Sequence, residues 1–181
     1  MSNSESGFSY IDVMIALVIL LVGVLALLSG IAGSVLQTRG HEQQLLAKQI
    51  ATSTIESIMS VKETDPARLG WDAVGNIGTN PDATGINQGI FVNGFQPVRL
   101  NPGPDQVIGT PDDDGPIVPG VSRQIIITNL CDPDRPSPGC TPSGIFRIRV
   151  RAVEVTIAYN VGAIQRHERL STVLTDYSVT N

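Results

Sequence analysis

The stretch "SGFSYIDVMIALVILLVGVLALL" holds one carboxylate, Asp12, inside an otherwise apolar run, and no charge follows it until Arg39. An unpaired carboxylate in hydrocarbon costs roughly 2.5–3.5 kcal/mol on insertion scales. Asp12 therefore calls for a cationic or hydrogen-bonding partner, and its own helix offers none within a turn. At the headgroup edge, water alone would solvate it. A second group, Asp105, Asp112, Asp113 and Asp114, sits in "GPDQVIGTPDDDG". Hard oxygen donors on a flexible loop suit calcium, with Asp105, Asp112 and Asp114 as candidate ligands. The spacing is not that of an EF-hand and no bidentate Glu follows, so a solvated acidic turn is the plainer reading. Arg147, Arg149 and Arg151 alternate along one segment, with Arg166 and Arg169 on the next. Such a stripe suits nucleic-acid phosphates. However, it lacks aromatic stacking partners, and Glu154 and Glu168 are placed to pair with it across strands. Nucleic acid is accordingly the less favoured partner. No Ser/His/Asp set, nucleotide loop or metal-ligand helix is recognisable, so the chain is not expected to be an enzyme.

These residues need elements to carry them. The chain has 181 residues and a net charge of −5, so its overall field gives no reason to expect binding to nucleic acid or anionic lipid. Aromatic residues make up only 4%, so a core must be built from Ile, Val, Leu and Ala. From Val13 to Thr38 the chain is uncharged for longer than the ~20 residues that cross a bilayer core. A strand cannot be so long, which leaves a membrane helix. Beyond it, Ala47, Ile50, Ala51, Ile55, Ile58 and Met59 recur at steps of three and four, while Gln44, Lys48, Thr52 and Glu56 fall opposite. One helix is thus expected from about Phe8 to Val61, closed by Asp65-Pro66 and weakened at Gly40. Pro66 to Gly120 is punctuated by Gly and Pro and reads as loops with short strands at best, "IFVNGF" being a candidate hairpin. "SRQIIITNL", "GIFRIRVRAVEVTIAY" and "RHERLSTVLTDYSV" read as strands, and "NVGAIQ" as the hairpin connection into the last. In the second, apolar residues at Phe146, Ile148 and Val150 give way to Val153, Val155 and Ile157, which predicts a bulge, or a crossing to another neighbour, near Ala152. The fold class is α+β: a long amino-terminal helix, its first half spanning a membrane, packed through its second half on a small antiparallel sheet of three or four strands.

"GFSYIDVMIALVILLVGVLALL" resembles the processing signature of type IV prepilins, in which Gly-Phe precedes an acidic residue and a long apolar helix. The resemblance implies a pilin-like fold and cleavage between Gly7 and Phe8 by a prepilin peptidase. It also implies N-methylation of Phe8, and Asp12 as the assembly acid at the fifth mature position, where the family normally has glutamate. The amine of Phe8, or that of a neighbouring subunit, would then lie within reach of Asp12. "AKQIATSTIESIM" and "VEVTIAYNVGAIQRHERLSTVLTDYS" resemble V-type minor pilins, the type IV pilus modification proteins, and also the I-type minor pseudopilins of type II secretion. The implied partners are other pilins or pseudopilins, met through the amino-terminal helix, with the inner membrane as the resting place and the head in the periplasm. The leader carries Glu5 and no Lys or Arg, a departure from the family, and charge counting alone favours the reverse orientation.

The expected organisation is a cleaved leader at 1–7, a transmembrane assembly helix at 8–36 and an amphipathic continuation at 37–62. A Gly/Pro-rich loop region at 63–122 and the sheet at 123–181 complete it. Cys131 and Cys140 flank "DPDRPSPG"; in an exported head they are expected to form a disulfide worth roughly 2–3 kcal/mol. Zinc is disfavoured because only His41 and His167 accompany them. The expected function is that of a minor type IV pilin, with a minor pseudopilin or a signal-anchored periplasmic binding protein as alternatives.

Overall fold

A computed structural model describes residues 9–63, 70–82, 84–130 and 148–176. Helix α1 runs unbroken from Tyr10 to Glu63, 54 residues or about 80 Å at 1.5 Å per residue. It passes through Gly40 without interruption, as it does through Gly23, Gly30 and Gly33. The expected stop at Asp65-Pro66 lies outside the described residues. The chain divides into two compact units, Met1–Glu42 and Gln43–Asn181, and α1 contributes to both.

In the second unit, α1 buries Ala47, Ala51, Thr54, Ile55 and Ile58. This is the stripe that the sequence periodicity predicts, with two changes. Met59 is exposed, and Thr54 is completely buried in its place. Thr54 can be hidden because its hydroxyl donates to the Ile50 carbonyl at 2.7 Å, inside its own helix. Satisfied in this way, the side chain packs as a valine would.

After a short helix α2, Gly70–Ala73, come four strands: β1 Gln96–Asn101, β2 Asp114–Leu130, β3 Val150–Val161 and β4 Ile164–Thr175. They form one antiparallel sheet in the order β1-β2-β3-β4. Gly162 and Ala163 join β3 to β4, where Val161 pairs with Ile164. Gly162 takes a positive φ of 62°, which the first position of this kind of two-residue turn requires. β1 and the opening of β2 come from the Gly/Pro-rich stretch. Pro116 and Pro119 cannot donate to a ladder, and Gly115 and Gly120 bend the backbone with φ of 78° and 71°. The β1–β2 register shifts accordingly between Pro97 and Arg99 and again between Arg99 and Asn101. "IFVNGF" is not a hairpin. Phe91 instead bridges Asn76 in parallel, and the Asn93 amide donates to the Ile77 carbonyl at 2.8 Å.

From Val121 to Leu130, β2 pairs with β3 residue by residue, and β3 pairs with β4 just as regularly. Neither the bulge nor the change of neighbour expected near Ala152 is therefore present. The odd-numbered residues of β2 and β3 form the inner face, where Val121, Ile125, Val153, Val155, Ile157 and Tyr159 share one core with Ala47, Ala51, Ile55 and Ile58. Arg151 belongs to this inner face and is only 3% exposed, so the solvated arginine stripe is corrected at that position. Its guanidinium lies 4.4 Å from the centre of the Trp71 ring and donates to the carbonyls of Trp71 and Val74 and to Asn129 Oδ1. Trp71 in turn donates from Nε1 to the Ile148 carbonyl at 2.6 Å. A planar fork that stacks and makes several hydrogen bonds allows a charge to occupy an apolar row. At the start of β3 both faces are covered, Val150 as well as Arg151 being buried, so apolar and charged residues there do not sort by alternation.

Candidate functional site

Asp12 lies in the first turn of α1, and the structure gives it a local partner. The backbone N–H of Ser9 donates to Asp12 Oδ2 at 3.3 Å, while the N–H groups of Asp12 and Val13 donate to the Ser9 carbonyl at 2.9 and 3.3 Å. Ser9-Tyr10-Ile11-Asp12 thus forms one arm of a capping box, in which an acid three residues into the helix reaches back to the cap residue. The expectation that its own helix offers Asp12 nothing is corrected. The amide lies three residues upstream, and the positive end of the helix dipole favours the charge as well. Among the described residues Oδ1 accepts no hydrogen bond, which leaves half of the carboxylate available. Gly7 and Phe8 lie outside the described residues.

Beyond Asp12, every residue to Leu36 is exposed, including Ile15, Ile19, Leu21, Leu25, Leu28 and Val35. A Cβ built on Gly23, Gly30 or Gly33 meets nothing within 4 Å. A helix that is apolar on every side is ordinarily enclosed, by lipid or by protein. Here none of the most apolar window is buried within the chain, so the cover must come from outside it. Length and composition make α1 a helix able to cross a membrane.

The aspartate loop is built for itself. Asp105 Oδ1 accepts the Val107 N–H at 2.7 Å, and Asp112 accepts the Thr110 hydroxyl at 2.6 Å and the Asp105 N–H at 3.3 Å. Those contacts, led by the Thr110 hydroxyl, hold the Asp112 carboxyl below its usual range. Asp114 instead opens β2, opposite Asn101. Asp105, Asp112 and Asp114 are not gathered into a ligand set, and among the described residues no group of three or more metal-binding side chains forms one. Of the other arginines, Arg169 pairs with Glu154 at 3.4 Å, whereas Glu168 meets Lys48 of α1 at 3.7 Å. Cys131, Cys140 and Arg147 lie outside the described residues.

Sequence reasoning missed Asp113 with Arg123. Arg123 occupies the inner face of β2 between Val121 and Ile125, 3% exposed, with Nη2 at 2.6 Å from Asp113 Oδ2. Asp113 also accepts the Gly109 N–H with both oxygens, at 3.1 and 3.0 Å. Burial lowers the pKa of Arg123, and the adjoining carboxylate works against that shift. The available signal was a charged residue in phase with the apolar positions Val121, Ile125 and Ile127. The pair stands in a cleft of about 420 Å³ formed by β1, β2 and the loops at Ile77, Val92 and Gly109–Asp113. No protein-family profile, curated protein or solved structure matches this chain.

Proposed function

We propose that this protein is a minor type IV pilin, cut between Gly7 and Phe8 by a prepilin peptidase. It waits in the inner membrane and enters a filament, or primes one, through its apolar helix. The observation that carries this reading is a helix apolar on all sides and unburied from Val13 to Leu36, with its single acid one turn in. Lipid satisfies such a surface in the resting monomer, and a bundle of like helices satisfies it in a filament. Packing in a bundle removes the water around Asp12, so the unused Oδ1 then gains from meeting the amine of Phe8 or of a neighbouring subunit. The Gln43–Glu63 segment is fixed to the sheet through Ala47, Ala51, Ile55 and Ile58, which makes the head a rigid presenter of surface.

The test is amino-terminal sequencing and intact mass of the protein recovered from membranes of cells that possess a prepilin peptidase. The expected mature chain begins at N-methylated Phe8. A chain retaining Met1, or one cut after the apolar run, overturns the reading and favours a signal-anchored or secreted protein.

A further inference from the structure

We infer that the outer edge of β4 takes up an extended, acidic segment of a partner protein as an added strand. β4 ends the sheet, and among the described residues no strand pairs with its outer edge. The two edges of the sheet differ. β1 is short, carries Pro97 and loses register twice against β2, features that discourage a foreign strand. β4 has 12 residues, contains neither Pro nor Gly, and keeps register with β3 throughout. The phase of its outward backbone groups follows from its hairpin. Val161 and Ile164 flank a two-residue turn, so they form a hydrogen-bonded pair, and the two kinds of pair alternate from there. Gln165, His167, Arg169 and Ser171 therefore direct their N–H and C=O groups away from β3. All four are exposed, and among the described residues no backbone group outside the hairpin bonds to them. Such a row is a template for another strand.

The side chains choose the occupant. Ile164, Arg166, Glu168 and Leu170 lie opposite Val161, Tyr159, Ile157 and Val155, on the face that packs against α1. Ile164 and Leu170 are 63% and 38% exposed, and apolar residues on a neighbouring strand would cover both. The charges between them reject a plain apolar strand. Glu168 is already met by Lys48 at 3.7 Å and Gln44 at 3.4 Å, and on the other face Arg169 meets Glu154 at 3.4 Å. Arg166 is exposed and makes no hydrogen bond or ion pair among the described residues. One positive charge is thus left over along this edge, on a chain whose net charge is −5. The fitting segment runs antiparallel, with a carboxylate opposite Arg166 and β-branched residues opposite Ile164 and Leu170. A second copy fits less well: its β1 brings Pro97 and Arg99, and the Glu168 of its β4 is already held by Lys48 and Gln44. This inference is independent of how the apolar helix is used.

The experiment uses the full-length protein in detergent micelles, with calorimetry and amide hydrogen exchange by NMR as readouts. The probe is the end-capped heptapeptide Val-Thr-Thr-Thr-Glu-Thr-Val. Its glutamate falls opposite Arg166 when its first and last residues lie opposite Leu170 and Ile164. In the free protein the amides of Gln165, His167 and Arg169 are expected to exchange fast, and those of Arg166, Glu168 and Leu170 slowly. The peptide is expected to bind and to slow the first set. N-methylation of its fourth and sixth residues, whose N–H groups face β4, should weaken binding at least about tenfold, whereas methylation of its third and fifth should change it by no more than about twofold. Arg166→Glu, at an exposed position, is expected to reverse the preference, so that a peptide with lysine in place of glutamate binds better than the parent. If the amides of Gln165, His167 and Arg169 already exchange slowly in the free protein at every concentration, the edge is covered and the inference is overturned. Protection that grows with protein concentration and not with peptide assigns the edge to a second copy and overturns it too. It is equally overturned if the peptide fails to bind, if the two methylated peptides bind alike, or if Arg166→Glu still prefers glutamate.

Discussion

At the scale of single residues, Asp12 has two roles that one substitution can separate. Its carboxylate accepts the Ser9 N–H and carries a charge near the start of the helix. Asp12→Asn keeps an acceptor for Ser9 and removes the charge, whereas Asp12→Ala removes both. Loss of the charge at a helix start costs only about 0.3–1 kcal/mol, so both variants are expected to insert and fold normally. Counting pili, or cross-linking subunits in membranes, should show both assembling poorly and to the same degree. If Asp12→Asn assembles like the native chain while Asp12→Ala fails, the cap is what matters and the paired charge is not. Asp12 itself was legible as an anomaly in the sequence, but its Ser9 partner was not. A backbone amide leaves no trace in residue types, and only the pattern of Ser followed three places later by an acid hints at it.

At the scale of elements, legibility followed periodicity. The stripe Ala47, Ala51, Ile55 and Ile58 was readable because a 3.6-residue period persists over several turns. β1 and the first part of β2 were obscured by Pro97, Gly115, Pro116, Pro119 and Gly120, which are residues that usually end strands. They survive here at an irregular edge pairing. Arg123 and Arg151 look like surface residues by type and sit on the inner face because Asp113 in one case, and Trp71 with backbone carbonyls in the other, meet their needs. Asn76 is a comparable case. Its amide donates to the Ile125 carbonyl and its oxygen accepts the Ile127 N–H, both at 2.8 Å, serving β2 where β1 does not reach. No pattern in one chain announces such a cap. The aspartate loop, by contrast, has a readable pH response. The Asp112 carboxyl titrates below the usual aspartate range in the folded chain, so its support for the loop is complete above that range and is lost as pH falls through the lowered pKa. In an NMR titration the Asp105 amide signal should follow this transition, with a midpoint below the usual aspartate range. Thr110→Val, which removes the leading hydrogen bond, should shift that transition to higher pH; no shift would mean the hydroxyl does not set it.

At the scale of the whole molecule, the two units have different needs. Gln43–Asn181 holds a continuous core of its own, from Ala47 to Leu174, whereas none of the described residues up to Glu42 is buried. A chain starting at Gln43 is therefore expected to remain folded in water without detergent, with a cooperative thermal transition by circular dichroism. The full chain should need detergent or membrane. If the shortened chain aggregates or melts without cooperativity, the head depends on the apolar segment for its fold. The cap at the start of α1 has a further consequence. The hydrogen bonds described for it close within residues 9–13, all of which a cut after Gly7 would leave in the chain. Removal of seven residues by a peptidase would thus leave these contacts in place. The cut would alter charge and covalent chemistry at the new terminus, leaving processing free to act as a licence for assembly rather than as a step in making the fold.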